Sequence, residues 1–157
     1  MSISVRRQLL SLILLLPFLI VGCGGSETTT PTTPSTPPPT GPASLTLTDL
    51  TEGTGDGLLT NSIVIVHYTL WLYDPAGTDS KGTRIGSSRD SPGTPLTFRL
   101  GTNAVIPGFE QAVQSMRVGG VRRAIVPPSL AYGSTGNQSI PGNAWIVFEI
   151  ELIASTN

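Results

Sequence analysis

The sequence predicts an α+β domain: an antiparallel sheet whose inner face covers one short helix. Three observations predict it. Apolar and polar residues alternate with period two in several short segments after residue 44. Apolar residues at helical spacing run from residue 109 to 116, just behind a proline. Clusters of Gly, Pro and Asp separate these segments.

The chain has 157 residues, and the first 22 read as a lipoprotein signal peptide. Arg6 and Arg7 form a basic start, and Leu9 to Val21 form an apolar run. That run is shorter than the ~20 residues a membrane span needs. Ile20-Val21-Gly22-Cys23 resembles a bacterial lipobox, in which Cys23 is acylated and becomes the mature N-terminus. The alternative is an ordinary signal peptide with a stray cysteine. Lipidation at Cys23 implies a membrane partner through the anchor; two or three acyl chains hold where one does not. Gly24 follows Cys23, so the Asp that retains many lipoproteins at an inner membrane is missing. The expected location is the cell envelope: the outer membrane, facing periplasm or surface. In a source with one membrane it is the outer face of that membrane.

Cys23 is the single cysteine, so no intramolecular disulfide exists and the domain must stand on its core. Loss of Arg6 and Arg7 with the leader leaves seven basic against ten acidic side chains. This balance gives no basic footprint, so nucleic acid is not an expected partner. Residues 23–43 form the lipidated cysteine and a Thr/Pro-rich linker without a large apolar side chain after Val21. Extended at about 3.1 Å per residue, it could hold the domain roughly 60 Å from the bilayer.

Residues 44–157 form the folded domain. Leu45 to Leu50 alternates as a strand. Gly53, Gly55 and Gly57 then form a turn and not a nucleotide loop, because another strand follows directly. Ser62 to Tyr73 is β-branched and aromatic throughout, the strongest strand signal. Val64, Val66, Tyr68 and Leu70 share one face, opposite Ile63, Ile65, His67 and Thr69. Asp74 to Gly82 reads as a loop, and Arg84 to Arg89 and Leu96 to Leu100 as strands. Pro107 opens the helix, whose apolar face is Phe109, Ala112, Val113 and Met116, and Gly119-Gly120 stops it. Val121 to Val126 and Ala144 to Ile153 are the last strands, the latter with Ile146, Phe148, Ile150 and Leu152 on one face.

The stretch VIPGFEQAVQSMRVGG, Val105 to Gly120, followed by PPSLAYG, Pro127 to Gly133, resembles the signature of the FKBP family of peptidyl-prolyl cis–trans isomerases. Val66 to Thr69, Ser87 to Asp90 and the final strand agree in order and spacing, so the resemblance covers about residues 45–153. It implies a curved antiparallel sheet, a half-barrel wrapped around one short helix. It also implies rotation about Xaa–Pro bonds, without a cofactor or metal, on proline-containing polypeptides of the envelope. Binding of rapamycin- or tacrolimus-type macrolides and a monomeric state are further expectations. The resemblance places Tyr68, Ile85, Leu96, Phe98, Val105, Ile106, Phe109, Tyr132, Ile140 and Phe148 at the substrate pocket. Tyr68, Phe109 and Tyr132 would act on the reacting bond: wall, floor and hydroxyl donor. Phe98 is left open between pocket wall and core.

No other catalytic set is present. His67 is the single histidine, with no free cysteine and no close carboxylate pair, and reads as structural. Aspartates and glutamates are scattered singly, which argues against a metal site. Two departures matter: the family usually has an aromatic where this chain has Ile85, which the pocket tolerates, and a carboxylate where it has Gly86. This leaves an isomerase of reduced efficiency beside a peptide-binding or chaperone module with little turnover. A surface adhesin carried on the Thr/Pro stalk is a third reading.

Overall fold

A computed structural model describes residues 36–156. The leader and Cys23 lie outside the described residues. Among the described residues six strands and one α-helix follow in the order β1 (Thr46–Thr51), β2 (Ile63–Tyr73), β3 (Lys81–Ser87), β4 (Leu96–Arg99), α1 (Pro107–Gln114), β5 (Val121–Val126) and β6 (Ile146–Thr156). They form one sheet ordered β1-β5-β6-β2-β3, every pairing antiparallel. β4 pairs with β2 over Ile63–Val66, while β3 takes Thr69–Tyr73. Two shorter strands thus share one edge of β2.

Register shifts interrupt three of the pairings: β1 with β5 near Leu50, β2 with β3 near Ile85, and β2 with β6 near Ile153. Each extra residue bends its strand and raises the local twist. The helix lies in the hollow that results. Phe109, Ala112 and Val113 are buried there, together with Met116 just past the helix end. Val64, Val66, Leu70, Ile146, Phe148, Ile150 and Leu152 meet them from the sheet, as the alternation predicts. Gly108 permits the closest approach: a Cβ there would sit 2.2 Å from Val126 and against Leu130.

Three elements differ most from the sequence reading in where they end. β3 begins at Lys81, within the expected loop, and ends at Ser87, because Lys81 pairs across to Tyr73. The helix ends at Gln114, before the glycines, because Ser115 already leaves the helical region with φ −106 and ψ 13. β6 starts at Ile146 and runs on to Thr156 against Ile63.

Arg122 ties the helix to the outer strands. It is buried on β5, donates two hydrogen bonds to Asp49 on β1, at 2.6 and 3.0 Å, and donates to Ala112 O and Ser115 Oγ at the end of α1. A cation at a helix C-terminus also opposes the negative end of the helix dipole. The Asp49 carboxyl is held below the usual carboxylate range, mainly by these hydrogen bonds.

The end of the linker touches the domain. Trp145 Nε1 donates to Pro42 O at 2.9 Å, and Gly41 lies against the indole.

Candidate functional site

The concave face opens beside the N-terminus of α1 into a cavity of about 480 Å³. Its floor is Phe109, which is only 3% exposed and so serves core and cavity at once. Phe109 is the hub of an edge-to-face aromatic cluster. Its ring centroid is 5.0 Å from Phe148, 5.7 Å from Tyr68 and 5.9 Å from Phe98. Such pairs add about 0.5–1.5 kcal/mol each beyond burial and resist rotation of the rings.

Tyr68, Leu96, Val105, Ile106, Tyr132 and Phe148 complete the wall. Phe98 does not line the cavity; it stands behind Phe109 as a core residue, because β4 turns it inward against the helix. Ile85 and Ile140 do not line this cavity either. They line a neighbouring compartment of about 300 Å³, which shares Leu70 and Tyr132 with the first. Leu70, Asn103 and Ala104 were not among the expected site residues, nor were Asn137, Gln138 and Ser139 at the second compartment. Leu70 is legible in the period-two face of β2. Asn103 and Ala104 adjoin Val105 in the same loop. The 137–139 segment carries no pattern to find it by.

Two of the residues that line this space carry a donor without a described partner. Ile106 caps α1 in extended conformation, φ −61 and ψ 148, while its carbonyl accepts from Phe109 and Glu110 N–H. Among the described residues no acceptor meets the Ile106 N–H. The Tyr132 hydroxyl likewise has no partner among them, and burial, with Tyr68 nearby, raises its pKa above the usual tyrosine value. Tyr132 therefore stays a protonated donor at neutral pH. The loop before Ile106 is pinned by the Glu110 carboxylate, which accepts from Gly101 N–H.

Among the described residues no carboxylate replaces the one missing at Gly86. Asp90 is held by Arg84 at 2.5 Å and by Ser87 N–H, and Asp79 pairs with Lys81 and Arg123. Neither lines the cavity. His67 lies on the convex face, where Nδ1 meets Ser88 Oγ at 2.9 Å; the same oxygen accepts from Tyr68 N–H. It braces the β2–β3 edge and has no access to the cavity.

Residues 58–153 match the model of the FKBP-type peptidyl-prolyl cis-trans isomerase domain. The chain belongs to this family. It therefore carries the domain with which the family interconverts cis and trans Xaa–Pro bonds. It is 46% identical over 102 residues to the FKBP-type isomerase FkpA of Aeromonas hydrophila, covering 65% of this chain and 34% of that protein. It is 37% identical over 111 residues to an FK506-binding protein of Neisseria meningitidis, 70% of this chain and 94% of that one. The chain thus spans about a third of the first relative's length and nearly all of the second's. The crystal structure of FkpA from Escherichia coli superposes with a TM-score of 0.61 at 32% identity, over 71% of this chain and 48% of that one. The open antiparallel sheet around one helix is the architecture of these structures.

Proposed function

We propose that this chain is an exported prolyl isomerase, anchored through lipid on Cys23, that turns exposed Xaa–Pro bonds of envelope proteins. The observation that carries the isomerase reading is the aromatic-floored cavity with two unpartnered donors and no charged side chain in its lining. Rotation about Xaa–Pro faces a barrier of ~18–20 kcal/mol, because resonance holds the amide planar and polar. At the twisted transition state that resonance is gone and the C–N unit is less polar. An apolar bowl over Phe109 disfavours the planar amide relative to the twisted one, without a covalent step. Tyr68 and Phe148 hold the proline ring on that floor. The Tyr132 hydroxyl meets the carbonyl of the rotating bond, and the Ile106 N–H holds the chain beside it.

Export and anchoring rest on the leader-like segment and the single cysteine where a lipobox ends. Replacing Cys23 by Ser is expected to shift the protein from the membrane fraction to the soluble one. A mutant that is cut at the same bond and partitions into detergent like the parent overturns the anchor. An FK506-binding relative supports macrolide binding here as well.

A second reading is favoured by Gly86: a peptide-binding or chaperone module with little turnover. A protease-coupled assay on Xaa–Pro peptides separates the two. The isomerase reading expects measurable turnover, raised by Gly86→Asp, since the backbone at 86 is not left-handed and accepts a side chain. Peptide affinity with turnover at the uncatalysed rate selects the module.

A further inference from the structure

The end of the linker is held on the side of the sheet away from the cavity. Trp145 O accepts from Tyr73 N–H at 3.0 Å, so the β2–β6 ladder runs one residue past Ile146. Ile146 and Phe148 face the core and the cavity. Alternation then puts Trp145 on the convex face, with Val147. Val147 is 0% exposed, so this end of the convex face is packed surface. Trp145 lines neither the cavity nor the neighbouring compartment.

The indole donates from Nε1 to Pro42 O at 2.9 Å. A Cβ on Gly41 would sit 2.5 Å from its Cδ1 and 2.8 Å from its Cγ. Gly41 does not have positive φ, so the close approach, and not conformation, requires glycine here. Gly41 and Pro42 are half-buried, whereas Thr36, Pro37, Pro39, Thr40 and Ala43 are exposed. Trp145 thus grips one dipeptide of a mostly exposed Pro-rich segment. Such a segment is already extended and loses little entropy on an aromatic surface.

The linker is also made of what the cavity turns. The bonds Thr36–Pro37, Pro37–Pro38 and Pro38–Pro39 precede the grip. A flexible tether presents such bonds to its own domain at an effective concentration of about millimolar. Released at Trp145, at about 3.1 Å per residue, they would have roughly 20 Å of reach from Ala43. Resting on the isomerase reading, we infer that Trp145 and Gly41 form a clasp that keeps the chain's own Xaa–Pro bonds out of its cavity. The clasp fits an extended Gly–Pro segment, and its occupant is this linker. It holds the linker to the convex face, so that clients meet the cavity without a tethered competitor.

The test uses the full chain in detergent and its variant Gly41→Val, which blocks the close approach from the linker side and leaves the domain unaltered. Trp145→Phe removes the Nε1 donor, assigns the indole signal and gives a second release. Hydrogen exchange of the Trp145 Nε1–H, followed by NMR, reads the clasp. Values of kcat and KM on a Leu–Pro peptide read its effect. In the parent the Nε1–H is expected to exchange at least roughly tenfold more slowly than in Gly41→Val. Both variants are expected to raise KM about threefold with kcat unchanged, as for a tethered competitor at about twice its own Kd. Replacing Pro31, Pro34, Pro37, Pro38 and Pro39 by Ala in the Gly41→Val chain is expected to restore the parent's KM. Equal Nε1–H exchange in the parent and Gly41→Val overturns the clasp. A released clasp with KM unchanged, or a raised KM that the proline-free linker does not restore, overturns the self-exclusion. If no peptide is turned over, the isomerase reading fails; peptide Kd then takes the place of KM, with the same outcomes deciding the clasp.

Discussion

Tyr132 carries two demands that its surroundings reconcile. It needs water-free space to be a strong donor, and burial raises its pKa first, with Tyr68 adding to the effect. The sign is simple: the neutral hydroxyl persists beyond the usual value of about 10. Among the described residues that line the cavity only tyrosines are titratable, so kcat/KM is expected to stay flat between about pH 6 and 9. A bell-shaped profile in that range would show that a titrating group takes part. Tyr132→Phe removes one donor worth about 1–3 kcal/mol, a loss of roughly 5- to 150-fold in kcat/KM if the contact forms only in the transition state. Phe109 cannot be tested so cleanly, since it is also core. Phe109→Ala is expected to cost about 3–5 kcal/mol of stability, readable as a lower denaturant midpoint, in addition to activity. The milder Phe109→Leu keeps the fold and isolates the floor.

At the scale of elements, Arg122 joins β1, β5 and α1. Arg122→Ala leaves the Ala112 carbonyl and Ser115 without their partner and is expected to destabilise by about 1–3 kcal/mol. Asp49 is 43% exposed, so Asp49→Asn is expected to cost less than about 1 kcal/mol at neutral pH. Because the folded pKa of Asp49 is depressed, its contribution is present above about pH 3.9 and is lost as pH falls through the folded value. Acid unfolding of Asp49→Asn, compared with the parent by circular dichroism, is expected to lack that component. An equal acid midpoint shift in both proteins would remove the role given to this pair.

The same scale explains what the sequence makes legible. Alternation in β2, β5 and β6 reveals their buried faces, because period two and one-sided burial are the same fact. The helix shows through Phe109, Ala112, Val113 and Met116 at helical spacing behind Pro107. Ends resist reading, since Lys81 enters β3 only by pairing with Tyr73, a residue eight positions earlier. Phe98 illustrates the limit for the site. Family position brings it near the cavity, and only the packing of β4 against α1 shows that it stands one ring behind. The second compartment is hardest of all, because it depends on a loop meeting a bulged strand.

For the whole molecule, the linker and domain are not separated at residue 43. The Trp145 indole holds Pro42 by one hydrogen bond and covers Gly41. A chain starting at Ala43 is expected to fold and keep its activity, with a Tm about 4–8 °C below that of the full chain, for a loss of about 1 kcal/mol. Equal Tm values would show that this contact contributes nothing. The central claim is that an uncharged aromatic cavity with two donors turns Xaa–Pro bonds. The most direct measurement is cis–trans exchange in a Leu–Pro peptide, followed by NMR exchange spectroscopy with the full chain present. The account predicts exchange much faster than the uncatalysed tens of seconds, slowed by Tyr132→Phe and abolished by a rapamycin-type macrolide. Exchange at the uncatalysed rate, in a sample where the peptide is demonstrably bound, would contradict it.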